Sequence, residues 1–420
     1  MKVFRYRYVS FFLMFVCSAI VAHAQKPPTT NNPSNPAKQD EVYYSTSPVD
    51  LHDGIKVGTL SVTGAEPVIE KLITDIQNNE YGPLASILVW HQDKLVFEMY
   101  ANYGYENAPH FLMSVTKTLT SLLFSRAMEL GYFRMGDLQK PVLDFFPDID
   151  RANIQPEAAA VTLHEVLMMQ SGFRGIKEWM KGDDLEGHRM IQKYFEQTTL
   201  PLDKRYTYAA TDCNIVMSVI AELTSNRPDS SLPQYSTVWE FLEKEFLSPF
   251  GITNYQWSKA SNGYPTSAAG CSLRSRDLLK IGIAMHQQGI HNGKQFFSGP
   301  YLDLLFNMGV RKKNRPHMSR PNGYIYFTEG IEYKLNGLTF VGVGGRGAAG
   351  QFMTSYPALD LVVVATSDNR GASGFGLDDA RKAQVENLLP LFADNTTIQV
   401  ERQTRCVTLL NAVDEGDRAE

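Results

Sequence analysis

Ser114-Val115-Thr116-Lys117 is the first place along the chain where residue types and spacing combine into chemistry. A serine hydroxyl is a weak nucleophile until a neighbour takes its proton. Residues three apart on a helix share a face, so Lys117 can sit beside Ser114. A helix start also offers unsatisfied backbone N–H groups and positive potential, and both favour the negative charge that develops during acyl transfer. Chance supplies about one or two S-x-x-K matches in a chain of this length. This one stands alone, and it opens an amphipathic helical pattern just after Phe111-Leu112-Met113. The competing reading makes Ser114 a helix N-cap and Lys117 a solvated side chain, and position alone does not separate the two.

Two further segments carry candidate groups. Tyr206-Thr207-Tyr208-Ala209-Ala210 precedes a helical pattern that starts near Asn214. A tyrosine relays protons when a nearby cation lowers its pKa from about 10, and a buried Lys117 would serve as that cation. Aromatic packing is the alternative role for Tyr208. The stretch Gly342-Val343-Gly344-Gly345-Arg346-Gly347-Ala348-Ala349-Gly350-Gln351 lets backbone approach a ligand closely, because glycine has no Cβ. A strand edge here would aim an N–H at a substrate oxygen and complete an oxyanion hole with the amide of Ser114. A plain glycine-rich hairpin loop is the alternative.

The elements that must position these groups divide by region. Ser86–Trp90 and Leu95–Tyr100 read as paired strands around a turn at His91–Lys94. Gln351–Tyr356 and Leu361–Ala365 form a second pair around Pro357–Asp360, and Glu332–Phe340 adds a hairpin turned at Asn336-Gly337. Between these strands lie helical patterns. Thr116–Leu130 carries Leu119, Leu122, Leu123, Ala127 and Leu130 at helical period and stops at Gly131. Leu163–Met169, Asn214–Leu223, Val238–Leu247, Arg276–Gln287 and Asp378–Phe392 also read as helices. The predicted architecture is an α/β fold: an antiparallel sheet flanked by helices, built from both ends of the chain, with a mainly helical region inserted. The expected division is an α/β part from 42–110 plus 290–400, a helical part over 111–289, and a tail over 401–420.

Composition narrows the partners. The 420 residues carry a formal net charge of -5 and no long basic run, which argues against nucleic acid, since phosphate binding needs a positive footprint. Lys2, Arg5 and Arg7 precede an apolar run from Val9 to about Val21, followed by Ala22-His23-Ala24. That is the layout of a secretory signal peptide over residues 1–24, with an uncleaved anchor disfavoured because the run is short for a bilayer span. The expected location is the periplasm or outside the cell, with no stable membrane insertion after cleavage. Residues 25–41 are polar and proline-rich and read as a flexible tether. After Cys17 leaves with the signal, Cys213, Cys271 and Cys406 remain. An odd, sparse set is no disulfide framework, and which of them pair stays open. No CxxC or HExxH suggests a zinc site.

The order of the three candidate segments resembles the serine β-lactamase and penicillin-binding superfamily, in its class C-like branch. That branch includes D-alanyl-D-alanine carboxypeptidases, esterases and the 6-aminohexanoate-dimer hydrolase group. The resemblance spans roughly residues 80–390 and extends to linking segments: Val161 to Ser171-Gly172, the Arg276-Asp277 helix, and the Pro357–Val364 hairpin. It implies Ser114 as the acylated nucleophile and Lys117 as its general base or as the group that tunes Tyr208. Tyr208 would protonate the leaving group. Gly345-Arg346-Gly347 stands where the third motif ends, and Ala348 would supply the second oxyanion N–H. Trp179, with Glu178, Asp183 and Asp184, falls where the family places substrate-contacting loops; a charged surface loop explains these four equally well. Arg346 either holds an anionic substrate end or is exposed. His110 either touches the site, stands behind it or is exposed.

Two departures redirect the expected substrate. Ala210 occupies the position where β-lactamases and carboxypeptidases of the branch usually have Asn, and the Lys-Thr or His-Thr pair of the third motif is missing. Tyr208-Ala209-Ala210-Thr211-Asp212 is closer to the Tyr-Ser-Ser-x-Asp form of the aminohexanoate-dimer hydrolase and esterase branch. The expectation is a cofactor-free hydrolase of a small amide or ester. The alternatives are a β-lactamase or D-alanyl-D-alanine carboxypeptidase-type hydrolase, or a non-catalytic binding or sensor module of the same fold. A Ser-His-Asp hydrolase built on His110 lacks the G-x-S-x-G elbow.

Overall fold

A computed structural model describes residues 41–173, 187–226, 231–308, 323–335, 338–368 and 379–393. The expected signal peptide, the expected tether through residue 40, the tail, Trp179 with its acidic neighbours, and Cys406 lie outside those residues. No helix among the described residues is long and apolar enough to cross a membrane.

The main sheet has eight strands. In chain order they are β1 (Tyr43–Ser45), β2 (Leu84–His91) and β3 (Lys94–Tyr100), then, after a small separate sheet, β9 (Gly323–Ile325), β10 (Thr328–Leu335), β11 (Leu338–Gly347), β12 (Gln351–Tyr356) and β13 (Leu361–Ser367). Their spatial order is β1-β3-β2-β13-β12-β11-β10-β9, every pairing antiparallel. The intervening small strands are β4 (Pro109–Phe111), β5 (Tyr255–Trp257) and β6 (Cys271–Arg274) in the order β4-β6-β5, and the two-residue pair β7 (Ile290–His291) and β8 (Lys294–Gln295).

The two ends of the chain meet at the centre of the large sheet. β2 pairs with β13 in a register that sets Ile87 against Ala365 and Val89 against Val363. These strands read as continuous apolar runs because both faces are covered. Successive side chains on a strand point to opposite faces. Accordingly Leu88, Trp90, Val362 and Val364 join one core cluster, while Ile87, Val89, Val363 and Ala365 join another.

The helices supply the two covering layers. On the second face lie α1 (Ala65–Gln77), α10 (Asp379–Ala383) and α11 (Leu389–Ala393). α1 buries Ile69, Leu72, Ile73 and Ile76, one stripe at helical period. On the first face lie α2 (Val115–Glu129) and α8 (Ser275–His286). The rest of the inserted region holds α3 (Pro156–Ala159), α4 (Leu163–Leu167), α5 (Arg189–Glu196), α6 (Ala210–Ala221) and α7 (Val238–Leu242), with α9 (Gly299–Met308) after it.

α2 departs from the amphipathic expectation. It is buried on all sides: Thr116, Thr118, Thr120, Ser121 and Ser125 are as enclosed as its leucines. The short hydroxyls are tolerated because each finds a partner. Thr118 Oγ1 donates to Phe327 O at 2.9 Å, Thr120 Oγ1 to Ser267 O at 3.0 Å, and Ser121 Oγ lies 2.8 Å from Tyr301 Oη. The helix ends as expected, with Gly131 in the left-handed region at φ 94°.

α8 begins with the Arg276-Asp277 pair, and both side chains are structural. Arg276 is 3 % exposed and donates to Glu98 Oε2 of β3 at 2.9 and 3.1 Å. Asp277 accepts from Arg274 Nε at 2.6 Å and from Lys280 Nζ at 3.0 Å. Cys213 and Cys271 are buried free thiols, not joined to each other.

Candidate active site

Ser114 owes its position to the segment before it. β4 is pinned to β6, and Leu112 N continues the tie by donating to Cys271 O at 2.8 Å. Met113 then takes φ 49°, a left-handed conformation that a non-glycine residue adopts at a cost. That turn swings the chain abruptly into α2, with Ser114 as the residue before its first turn.

The two readings of the Ser114–Lys117 motif separate here. Ser114 sits at the N-cap position, yet its side chain makes no capping hydrogen bond. Its Oγ instead lies 3.1 Å from Lys117 Nζ. Lys117 is 5 % exposed, so it is not a solvated side chain. Its ammonium also donates to Ala268 O at 2.7 Å and lies over the Tyr208 ring, 4.6 Å from the centroid. The contact with Tyr208 is therefore a cation–π arrangement on the ring face.

Tyr208 stands just before α6, which begins at Ala210, four residues earlier than the apolar periodicity from Asn214 indicates. The start of α6 is anchored by Asp212, which is 2 % exposed and accepts a 2.5 Å hydrogen bond from Ser171 Oγ. Burial pushes the Asp212 carboxyl up to about 8, against the opposing effects of Ser171 and Lys204. The Tyr208–Asp212 segment and the Ser171-Gly172 segment are thus joined side chain to side chain.

The glycine-rich strand lies against the Ser114 turn. A Cβ on Gly345 would sit 3.0 Å from both Thr118 Oγ1 and Val115 Cγ1. On Gly347 it would meet the carbonyl oxygen of Leu112 at 2.4 Å and Met113 Cβ at 3.0 Å. Only glycine permits that approach. Ala348 follows at the exposed turn between β11 and β12, where Ala349 and Gly350 both take positive φ.

Ser114, Thr118, Tyr208, Tyr324, Phe327, Glu329 and Arg346 line one narrow cleft. The structure thus brings Ser114, Lys117 and Tyr208 together and lays Gly347 beside them. Arg346 corrects the exposed reading: its side chain is 11 % exposed, and its Nε is 3.1 Å from Glu329 Oε2. His110 is buried on β4, opposite Leu273, and is not among the cleft-lining residues. Three contributors went unread in the sequence. Ala268 acts through its carbonyl, which leaves no residue signature. Tyr324 and Glu329 belong to no motif and reach the cleft only through strand pairing.

The Beta-lactamase family model matches residues 69–387. No curated protein matches the chain. Among solved structures, a proposed 6-aminohexanoate-dimer hydrolase from Bacillus anthracis superposes with TM-score 0.56 at 17 % identity, over 84 % of this chain and 88 % of its own. A class C beta-lactamase gives TM-score 0.55 at 13 % identity, over 81 % of this chain and 99 % of its own. EstCE1, a hydrolase with promiscuous acyltransferase activity, gives 0.55 at 13 %, over 76 % and 98 %. At these identities the likeness is one of fold.

Proposed function

Because this chain belongs to the beta-lactamase family, we propose that it is a serine hydrolase that cleaves a small amide or ester through an acyl-enzyme on Ser114. One observation carries the reading: a serine at a helix N-cap position leaves the helix uncapped, and its hydroxyl lies 3.1 Å from a buried lysine. A serine and lysine without a shared reaction gain nothing from that arrangement, since capping is worth about 1 kcal/mol.

Ser114 Oγ attacks the carbonyl carbon while its proton passes to Lys117, which must be neutral to accept it. The tetrahedral oxyanion is held by the amides of Ser114 and Ala348. As the C–N or C–O bond breaks, Tyr208 delivers the proton to the departing amine or alcohol. Water then attacks the acyl-enzyme, giving its proton to the same pair and restoring the Ser114 hydroxyl. Lys117 Nζ over the Tyr208 ring keeps the two side chains in one cluster with Ser114.

Ala210 and the missing Lys-Thr pair support amide or ester hydrolysis over β-lactam turnover. The pairing of Arg346 with Glu329 supports the same preference, since that guanidinium is already engaged. The proposed workplace is the periplasm or the cell exterior, after removal of residues 1–24.

The deciding experiment is intact-protein mass spectrometry of wild type and Ser114→Ala with a p-nitrophenyl ester, a penicillin and a linear amide dimer. A Ser114-dependent adduct or turnover supports the hydrolase, and the reactive compound names the branch. No adduct on folded protein with any of the three overturns the proposal in favour of a binding module.

A further inference from the structure

One residue lining the cleft carries a buried hydroxyl with no partner. Tyr324 is 9 % exposed, lines the cleft with Ser114, and its Oη makes no hydrogen bond among the described residues. Its ring packs edge-on against Tyr208 at 5.8 Å between centroids and lies 5.3 Å from Tyr206. Most buried polar atoms are paired, and leaving one unpaired costs stability that phenylalanine would not. Burial pushes the Tyr324 hydroxyl well above its ordinary pKa, so it stays protonated and keeps a proton to donate. Among the other hydroxyl-bearing residues of the cleft, Thr118 Oγ1 is engaged by Phe327 O and Ser114 Oγ by Lys117 Nζ.

We infer that Tyr324 is a specificity-determining residue whose phenol hydrogen-bonds a polar group on the leaving portion of the substrate. The side is set by Tyr208: the group that protonates the departing atom stands beside it, and Tyr324 packs on Tyr208. The substrate class follows. The amine or alcohol released carries a hydroxyl, amide or other hydrogen-bonding group, and a plain alkyl leaving group is discriminated against, because it leaves the phenol unpaired. This inference rests on the hydrolase reading for the word "leaving", and its test separates the two.

The probes are propyl butanoate and 3-hydroxypropyl butanoate, which share an acyl group. Binding is measured by calorimetry on Ser114→Ala and on Ser114→Ala/Tyr324→Phe; kcat/KM is measured on wild type and Tyr324→Phe. The expected result is a preference of about tenfold for the hydroxyl-bearing ester that disappears in both Tyr324→Phe proteins. Tyr324→Phe alone should be at least as stable as wild type; a fall in Tm would mark the hydroxyl as structural and overturn the proposal. An equal preference with and without the hydroxyl, no preference, or no binding of either ester would overturn it too. A binding preference that needs Tyr324, in a wild type that cleaves neither ester, would sink the hydrolase reading alone.

Discussion

Ser171 donates a 2.5 Å hydrogen bond to Asp212, two residues that are 41 apart in sequence and that tie the loop after α4 to the helix behind Tyr208. The bond has a pH signature. The Asp212 carboxyl rises from 3.8 to about 8 on burial. Below pH 4 folded and unfolded chains both hold the proton. Between about 4 and 8 the folded chain keeps it and the unfolded chain releases it, so stability falls as pH rises through that window, by up to about 1.4 kcal/mol per pH unit. Asp212→Asn keeps an acceptor for Ser171 and cannot titrate. Its Tm should decline less than wild type's between pH 5 and 8; parallel curves would show that Asp212 is not the proton-holding group. Glu98, also raised by burial, leaves a residual slope in both.

Single replacements in the catalytic trio should differ in kind. Ser114→Ala and Lys117→Ala should each lower kcat/KM by about three orders of magnitude or more, and the double variant should be little worse than either, because the two act as one unit. Tyr208→Phe should cost about 10²- to 10⁴-fold, as for a lost general acid. Steady-state kinetics on the best substrate of the mass-spectrometry panel decides; additive losses in Ser114→Ala/Lys117→Ala would contradict a shared role.

Gly347→Ala should disable the enzyme without touching a catalytic side chain. The new methyl would sit 2.4 Å from Leu112 O, which is held in the small sheet, so the Met113–Ser114 turn must move. The expected cost is about 1–3 kcal/mol in stability and about 10²-fold in rate for a displacement near 1 Å. Gly136→Ala, with no atom within 4 Å of its new Cβ, is the control. Equal activities in the two variants would show that β11 does not constrain the nucleophile.

Glu98→Ala should unfold the protein at markedly lower denaturant. It strands Arg276, 3 % exposed, with only the more distant Asp53 and a backbone carbonyl. Removing one partner of a buried pair costs about 3–5 kcal/mol. Glu98→Leu/Arg276→Met should recover most of it, and failure to do so would mean the pair is needed for register, not charge balance.

The sheet and the site differed in how plainly the sequence announced them. β2, β3, β12 and β13 were legible because fully buried strands are unbroken apolar runs bounded by turn residues. α1 went unread although Ile69, Leu72, Ile73 and Ile76 form a stripe at helical period. The character of α2 was harder: its hydroxyls look solvent-facing until their partners Phe327, Ser267 and Tyr301, all more than 140 residues away in sequence, are seen. Ser114 and Lys117 were legible as a spacing. What they do was not, because the absent cap and the buried ammonium are tertiary facts. Arg346 misled for the same reason, its partner lying on a neighbouring strand.

The pairing of β2 with β13 also sets a schedule. The pairing of β2 with β13 cannot form until residue 361 and those after it have been made, because the two strands stand about two thirds of the chain apart. Such distant closure is slow, and until it happens β2 offers an apolar, unpaired edge to any passing strand. A newborn chain therefore spends most of its synthesis unable to complete its sheet, and truncations before residue 361 should aggregate.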